Sequence, residues 1–302
     1  MQQVIVHIGA PRTGTTTLQK NVFPFLQKHD LFTKTPYTAQ GLFTSHRGRS
    51  EFTPAGMHSF IRSIESPDSR PSNAHISDAI RALVTSASHV NRTINVATSA
   101  LLVDLIHQLR SQSAAPIFLS NERYCDSGAS LNGDSRHTED SEFGIYPLMR
   151  AIIASGVVPS VVVCLREPIA YLRSKYLRTV KQRKARRLRF LSVKEYIEKQ
   201  VFLEKISPGT SVLAQAMHSE FIRQLQRYSF VKAFGFQDLL SSDDVFSLMG
   251  LVGEPEISLK HVSAENQLSV SGEANETAER QVVEALKVYE LYEKIKSTQM
   301  HE

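Results

Sequence analysis

The feature that most constrains the fold of this chain is a short apolar run, residues 3–8, that leads directly into a glycine loop and a helical pattern. The run reads QVIVHI, is rich in β-branched residues, and stops at Gly9, as a buried strand does at a turn. Apolar residues at Leu18 and Val22 then recur at helical spacing, which predicts a helix that starts near Thr15. Strand, glycine loop and helix in this order are typical of a parallel α/β sheet.

The loop itself, GAPRTGTT, has the form of a phosphate-binding loop. Glycines at Gly9 and Gly14 sit between a strand and a helix, so that backbone N–H groups and the helix N-terminus can surround an anion. The loop nearly fits the nucleotide-triphosphatase pattern G-x-x-x-x-G-K-[ST], but Thr15 stands in place of the lysine. Arg12, inside the loop, is the only nearby cation. The sequence therefore predicts an anion site without the lysine of a triphosphate enzyme.

A second cation follows the most strand-like segment of the chain, SVVVCL, which is expected to be an inner strand covered on both faces. This strand ends in Arg166, at a place where triphosphate enzymes use an aspartate to help hold magnesium. Pro168 then opens a helix that carries Ser174. A cation in place of a metal ligand argues against magnesium and for a second phosphate.

Two motifs resemble those of the PAPS-dependent sulfotransferases, where PAPS is 3′-phosphoadenosine 5′-phosphosulfate. PRTGTTTLQ resembles their 5′-phosphosulfate loop, usually PK-x-GTT-x-L, and REPIAYLRSKY is similar to their 3′-phosphate motif, an Arg at a strand end with a Ser eight residues later. The bacterial branch is the most similar, since HIG-x-x-x-TGTT-x-LQ near the N-terminus and an S-x-E strand end are usual there. The rest of the chain matches only in outline.

The resemblance implies a P-loop-type sheet and transfer of a sulfuryl group from PAPS to a hydroxyl or amine, without a metal and with adenosine 3′,5′-bisphosphate as product. Many members have lysine where this chain has Arg12; arginine keeps the charge but cannot give up a proton, so its implied catalytic role is to stabilise the leaving phosphate. The implied donor-binding residues are Arg12, Thr13, Gly14, Thr15, Thr16, Thr17, Arg166 and Ser174.

A base is needed to accept the acceptor's proton, and Glu122 is the first candidate. It ends the predicted strand PIFLSNE, and in the family's glycan-modifying and bacterial branches a glutamate at a similar place is thought to be the base. The alternative role for Glu122 is to pair with Arg123 or Arg12. His46 and His58, in the variable region, are the other candidates for the base.

Two further side chains are expected to be structural. His7 lies inside the first strand, where a hydrogen-bonded histidine is more common than a catalyst. Cys164 lies inside the apolar run and is expected to pack as a small hydrophobic residue. The eleven histidines form no tight pair at i, i+4, and no metal site is predicted.

The remaining patterns complete a single α/β domain over residues 1–302, with a P-loop NTPase-like parallel sheet flanked by helices. An irregular, partly helical insertion at about 33–115 could shape an acceptor site, and its part from about 32 to 70 is predicted to be loops and short helices. Other strands are predicted at 116–122 and 229–236, and other helices at 76–112, 143–156 and 275–296.

A basic tract, KQRKARRLR, lies within a basic segment at about 175–210. Lys181–Arg189 holds six cations in nine residues, in a chain of net charge +5. A solvated helix face, a lid over the nucleotide, and a docking surface for acidic glycans, anionic lipid headgroups or nucleic acid all fit this pattern. Nucleic acid is not expected as a partner, because no aromatic side chain interrupts the cations before Phe190.

Composition predicts a globular protein of the cytoplasm, since the 302 residues include only two cysteines and no apolar run of the ~18 residues that a membrane span needs. Two rivals to a sulfotransferase remain: a P-loop kinase with a degenerate loop, and a non-catalytic polyanion-binding protein. The acceptor could be a small molecule, a glycan or a lipid, and the oligomeric state stays open.

Overall fold

A computed structural model describes fourteen stretches of the chain. They are residues 3–9, 18–19, 21–26, 28–33, 54–66, 68, 70–87, 92–121, 145–206, 211–216, 222, 225–242, 244–251 and 272–296.

Five strands in these stretches form one sheet in which every neighbouring pair is parallel. The strands are β1 (Val4–Gly9), β2 (Asp30–Thr33), β3 (Ile117–Ser120), β4 (Ser160–Leu165) and β5 (Phe230–Gly235). Their order across the sheet is β2-β3-β1-β4-β5, so that β1 is central. The sequence-based prediction of a parallel α/β sheet flanked by helices, consistent with a P-loop-like fold, is confirmed.

The helices of the described stretches are α1 (Pro54–Glu65), α2 (Asn73–Ala87), α3 (Arg92–Ser111), α4 (Tyr146–Ala154), α5 (Pro168–Ala185), α6 (Val193–Ile206), α7 (Val212–Ala216), α8 (Phe236–Ser241), α9 (Val245–Leu248), α10 (Gly272–Val288) and α11 (Tyr292–Lys296). A short 3-10 turn, Phe23–Phe25, follows helical residues at 18–19 and 21, in the segment for which a helix is predicted.

The two faces of the sheet belong to separate apolar cores. Val4, Val6 and Ile8 of β1 pack with helices α1 to α4, while Ile5 packs on the opposite face with Leu18. This alternation follows from the two-residue period of a strand. The connection from β1 to β2 runs across the sheet in the opposite direction to the later ones, and right-handed crossovers therefore place its helical segment on the other face.

A third apolar cluster holds the helices that follow β4. Tyr171 and Leu172 of α5 pack with Ile197 of α6 and with Val282 and Leu286 of α10, and all five are buried. Burial of each such side chain contributes roughly 1.5–3 kcal/mol. The first half of α5 is thereby fixed against the body of the protein.

Two predictions for the first part of the chain need correction. Residues 30–33 form β2, a sheet strand that the apolar pattern did not reveal, because DLFT is short and only one of its side chains, Phe32, is buried. Residues 54–65 form the twelve-residue helix α1, where loops and short helices were predicted. The long helical stretch at 76–112 is divided into α2 and α3, and the C-terminal helix ends at Val288, before α11.

The described helices include none that is both long and apolar enough to cross a lipid bilayer.

Candidate functional site

The strand ends that carry the predicted site residues meet at the carboxyl edge of the sheet. Gly9, the last residue of β1, pairs with Cys164 of β4, two residues before Arg166. On the other side of β1, His7 pairs with Ser120, the last residue of β3. In open α/β sheets, ligands bind outside the carboxyl ends of the strands. The site is therefore sought where β1, β3 and β4 end.

The connections change direction at this edge, which marks a crevice. The chain leaves β1 toward β2, whereas it leaves β3 toward β4 on the other side of β1. Such a switch point separates the loops that follow two neighbouring strands. Strands β1 and β3 flank this switch point. In the chain, the predicted phosphate loop follows β1, and Glu122 comes two residues after β3.

Several predicted site residues lie outside the described stretches. They are Arg12, Thr13, Gly14, Thr15, Thr16, Thr17 and Glu122, together with His46. Their predicted roles remain predictions, and the described part of the edge consists of the residues on either side of them.

Arg166 is the first residue after β4 and is half-buried. The chain turns there from the sheet into α5, because Glu167 caps the helix: its carboxylate accepts hydrogen bonds from the backbone N–H groups of Ile169, at 3.0 Å, and Ala170, at 2.5 Å. Pro168 takes the first helical position, as predicted. The carboxylate that the sequence offers next to Arg166 thus serves the helix N-terminus.

Ser174 is buried, with 5% of its surface exposed, and lies three residues after the fully buried Tyr171 on the same face of α5. It is six residues from Pro168, or about 9 Å along the helix axis. Lys175 extends over the Tyr171 ring, with its Nζ 5.3 Å from the ring centroid. Ser174 is thus a buried polar side chain on a helix that starts at the sheet edge, and its role at a phosphate stays a prediction.

A buried polar network lies under the same edge. The Nδ1 atom of His7 is 2.9 Å from the Ser120 hydroxyl, and the side-chain amide of Gln19 donates to the same oxygen at 3.1 Å. The His7 ring also meets the edge of Phe23, with centroids 4.8 Å apart. The network joins β1, β3 and the helical segment after the predicted phosphate loop.

His7 is held in its neutral form within this network. Burial lowers the pKa of His7 to about 3, because no water is present to stabilise the charged form of the ring. Its Nε2 atom is buried and has no hydrogen-bond partner among the described residues. The prediction of a hydrogen-bonded histidine inside the first strand is confirmed.

Asn121, which follows Ser120 in the chain, is also fully buried, and its side-chain amide lies 3.5 Å from the hydroxyl of Ser77 on α2. This contact ties the end of β3 to the helix that covers it. Glu122 is the next residue in the chain. The two residues before it are held by hydrogen bonds, Ser120 to His7 and Asn121 to Ser77.

Sequence reasoning assigned no role to Gln19 or Ser120, although both belong to quoted motifs. Gln19 is the glutamine of the pattern TGTT-x-LQ, Ser120 is the serine of S-x-E, and His7 is the histidine of HIG. The structure brings these three motif residues into contact. A polar residue inside the otherwise apolar strand IFLS is the signal that could have identified Ser120.

The remaining candidates lie elsewhere or have structural roles. Cys164 is fully buried, and burial raises the pKa of its thiol, with a smaller effect of the nearby Asp238 carboxylate, as expected of a packed rather than reactive cysteine. His58 is exposed on α1, beside the buried Met57. Within the described ranges, no group of three or more His, Cys, Asp and Glu side chains could hold a metal ion.

Together the fold and the edge define an α/β protein of P-loop-like organisation, with buried polar residues and a half-buried arginine where its central strands end. Comparison of the chain with models of protein families, with curated proteins and with solved structures found no match.

Proposed function

We propose that this protein is a sulfotransferase that moves a sulfuryl group from PAPS to a hydroxyl or amine of an acceptor. The observation that carries the proposal is the position of Arg166 at the end of β4, next to the strand that leads into the GAPRTGTT loop. A donor with phosphate groups at both its 5′ and 3′ positions needs two anion sites, and these neighbouring strand ends offer a cation to each.

The 5′-phosphosulfate is assigned to the loop after β1. Residues Thr13, Gly14, Thr15, Thr16 and Thr17 would supply backbone N–H groups and hydroxyls to it, and Arg12 a fixed positive charge. The half-buried contact between Gln19 and Ser120 supports this role, because it ties the helical segment after the loop to the sheet. An anion site works by preorganised donors, which a rigid support provides.

The 3′-phosphate is assigned to Arg166 and Ser174. Arginine can donate two parallel hydrogen bonds to a phosphate, and a serine hydroxyl can donate one. Ser174 lies on the part of α5 that is fixed by the third apolar cluster, and Arg166 follows the inner strand β4. Both residues therefore belong to rigid elements.

The reaction would proceed in line. As the acceptor oxygen or nitrogen forms its bond to sulfur, the bond between sulfur and the bridging oxygen of the 5′-phosphate breaks, and Glu122 takes the acceptor's proton. The electrons of the broken bond pass to the phosphate, where Arg12 stabilises the charge, and adenosine 3′,5′-bisphosphate leaves. Each donor in comparable oxyanion sites contributes roughly 3–4 kcal/mol.

A cytoplasmic location goes with the proposal, supported by the low cysteine content and the free, buried thiol of Cys164. A kinase is disfavoured because β4 is followed by Arg166, and no carboxylate occupies that place to help hold magnesium.

The direct test is transfer of labelled sulfate from PAPS to the components of a cell extract, with mass spectrometry of the labelled product. Wild-type protein should label a distinct acceptor, and Arg12→Ala protein should not. If labelled phosphate from ATP with magnesium is transferred instead, the protein is a kinase and the proposal is wrong.

A further inference from the structure

The second half of α5 and the chain after it lie at the margin of the third apolar cluster, which they contact through the partly buried Tyr176. Residues 175–192, which we call the basic projection, include no buried residue, and all of them are described. The first half of the same helix, by contrast, buries Ile169, Tyr171, Leu172 and Ser174. Burial in the apolar core therefore accounts for the first half of α5 but not for its continuation beyond Tyr176.

The basic projection is a hairpin of helix and extended chain. The hydroxyl of Tyr176 donates to the Leu191 carbonyl oxygen at 3.2 Å, and the Arg183 side chain donates to the Arg189 carbonyl oxygen. These contacts show that the chain returns along α5 after the helix ends. The tip of the hairpin is the turn between Arg183 and Arg189.

The turn at the tip has a defined geometry. The backbone N–H of Leu188 donates to the Arg183 carbonyl at 2.9 Å, and that of Arg187 to the Lys184 carbonyl at 3.1 Å. This is the helix-ending motif that usually places glycine in the left-handed conformation. Here Arg187 takes it, with φ of 54°, although a side chain is strained there. A cation occupies a position that glycine would adopt with less strain.

The charge of the basic projection is of one sign. Its eight cations are Lys175, Arg178, Lys181, Arg183, Lys184, Arg186, Arg187 and Arg189, and the same residues include no Asp or Glu. The whole chain has 35 Lys and Arg against 30 Asp and Glu; without these eight cations, 27 would face 30, a net charge of −3. The net positive charge of the chain thus comes from the basic projection.

Two apolar side chains stand among these cations at the tip. Leu188 is 47% exposed and Phe190 is 55% exposed, on either side of Arg189, which forms an ion pair with Glu195 of α6. A polyanion dissolved in water would gain little from such side chains. A lipid bilayer with anionic headgroups uses both features, because cations bind the headgroups while leucine and phenylalanine enter the boundary with the acyl chains.

We infer that the basic projection docks this protein on the surface of anionic lipid bilayers, with Leu188 and Phe190 inserted at the interface. The inference does not depend on the proposed enzymatic activity. Nucleic acid fits less well, because Phe190 is the only aromatic side chain between Leu177 and Ser192 and binding of single strands uses several stacked bases.

The test is flotation of the full-length protein with vesicles of phosphatidylcholine, alone or mixed with phosphatidylserine. Wild-type protein should float with the mixed vesicles only, and less so as salt is raised. Each basic residue near an anionic bilayer contributes roughly fivefold to binding, so Lys184→Glu/Arg186→Glu should weaken it by about 30-fold or more. Arg227→Glu/Arg280→Glu makes the same change in charge at exposed sites elsewhere and is the matched control, which should float nearly as well as wild type.

A second variant separates a bilayer from a soluble polyanion. Leu188→Ser/Phe190→Ser leaves the charge unchanged and should weaken binding to mixed vesicles by about tenfold, while binding to dextran sulfate or polyuridylate stays as in wild type. If this variant floats like wild type, the surface is one for soluble polyanions and the inference is wrong. Failure of wild type to float, equal binding to neutral vesicles, or equal loss in the control variant would also overturn it. Circular dichroism of each variant checks that it is folded.

Discussion

Gln19 and Ser120, which are 101 residues apart in the chain, are joined by a hydrogen bond of 3.1 Å from the glutamine amide to the serine hydroxyl. The same hydroxyl is 2.9 Å from Nδ1 of His7. One serine therefore connects β1, β3 and the segment after the predicted phosphate loop.

Substitution of this serine should destabilise the fold. Ser120→Ala leaves the buried His7 nitrogen and the half-buried Gln19 amide without their shared partner, so the free energy of unfolding should fall by about 1–3 kcal/mol. Denaturant unfolding measures the change. Ser59→Ala, at an exposed position of α1, is the control and should have little effect. Equal stability of the two variants would show that the network does not contribute.

The buried histidine should make the protein sensitive to acid. Because the pKa of His7 is about 3 in the folded state and 6.5 is its ordinary value, the unfolded chain binds a proton between these pH values and the folded protein does not. The contribution of His7 is complete above pH 6.5 and is lost as the pH falls, by up to about 1.4 kcal/mol per pH unit.

The measurement is the free energy of unfolding at several pH values between 4 and 7, the range that the two pKa values imply. His7→Gln cannot take up this proton and should flatten the dependence, whereas the exposed His58→Gln should leave it as in wild type. If His7→Gln keeps the wild-type slope, the proton is bound elsewhere. Should His7→Gln fail to fold, His7→Asn tests the same slope.

The 3′-phosphate assignment predicts a loss that depends on the donor. Arg166→Ala should weaken binding of adenosine 3′,5′-bisphosphate by about 2–3 kcal/mol, because a charge-assisted contact is lost, and should hardly change binding of adenosine 5′-phosphosulfate, which has no 3′-phosphate. Calorimetry measures both. Arg173→Ala is the control, because it removes a nearby cation of α5 that pairs with Glu279. Equal losses of Arg166→Ala with the two nucleotides would contradict the assignment.

The assignment of the base predicts a loss of rate without a loss of binding. Glu122→Gln keeps the shape of the side chain but cannot accept a proton, so turnover should fall by ~10²-fold or more while bisphosphate affinity stays close to that of wild type. Rate measurements with saturating PAPS and the identified acceptor test this. If the variant loses donor binding or does not fold, Glu122 pairs with an arginine; if it is fully active, His46 and His58 are the next residues to change.

The sequence predicted strands and helix ends correctly where residues of a single element determine them. Such local signals are the apolar runs of β1 and β4 and Pro168 at the start of α5. Another is Gly156, which has a φ of 88° and follows the end of α4. Strand β2 was not predicted, because its four residues are held in a strand by pairing with β3, and the local sequence pattern does not contain that contact.

The candidate site was predictable to the same extent. The strand that ends before Arg166 and the helix that carries Ser174 were predicted and are present, while the role of the two residues at a 3′-phosphate stays a prediction. The meeting of Gln19 with Ser120 could not be predicted, because it depends on the register between β1 and β3. The charge of the basic projection was visible in the sequence, but the absence of buried residues from 175 to 192 depends on how α7 and α10 pack on α5.

The most direct test of the central claim is calorimetric titration of the wild-type protein with adenosine 3′,5′-bisphosphate in the presence of a chelator. The two proposed anion sites at the ends of β1 and β4, with an arginine rather than an aspartate directly after β4, predict tight binding that addition of magnesium does not improve. ATP with magnesium, titrated into the same protein, should bind more weakly. If ATP with magnesium binds more tightly than the bisphosphate, the protein is not a PAPS-dependent sulfotransferase.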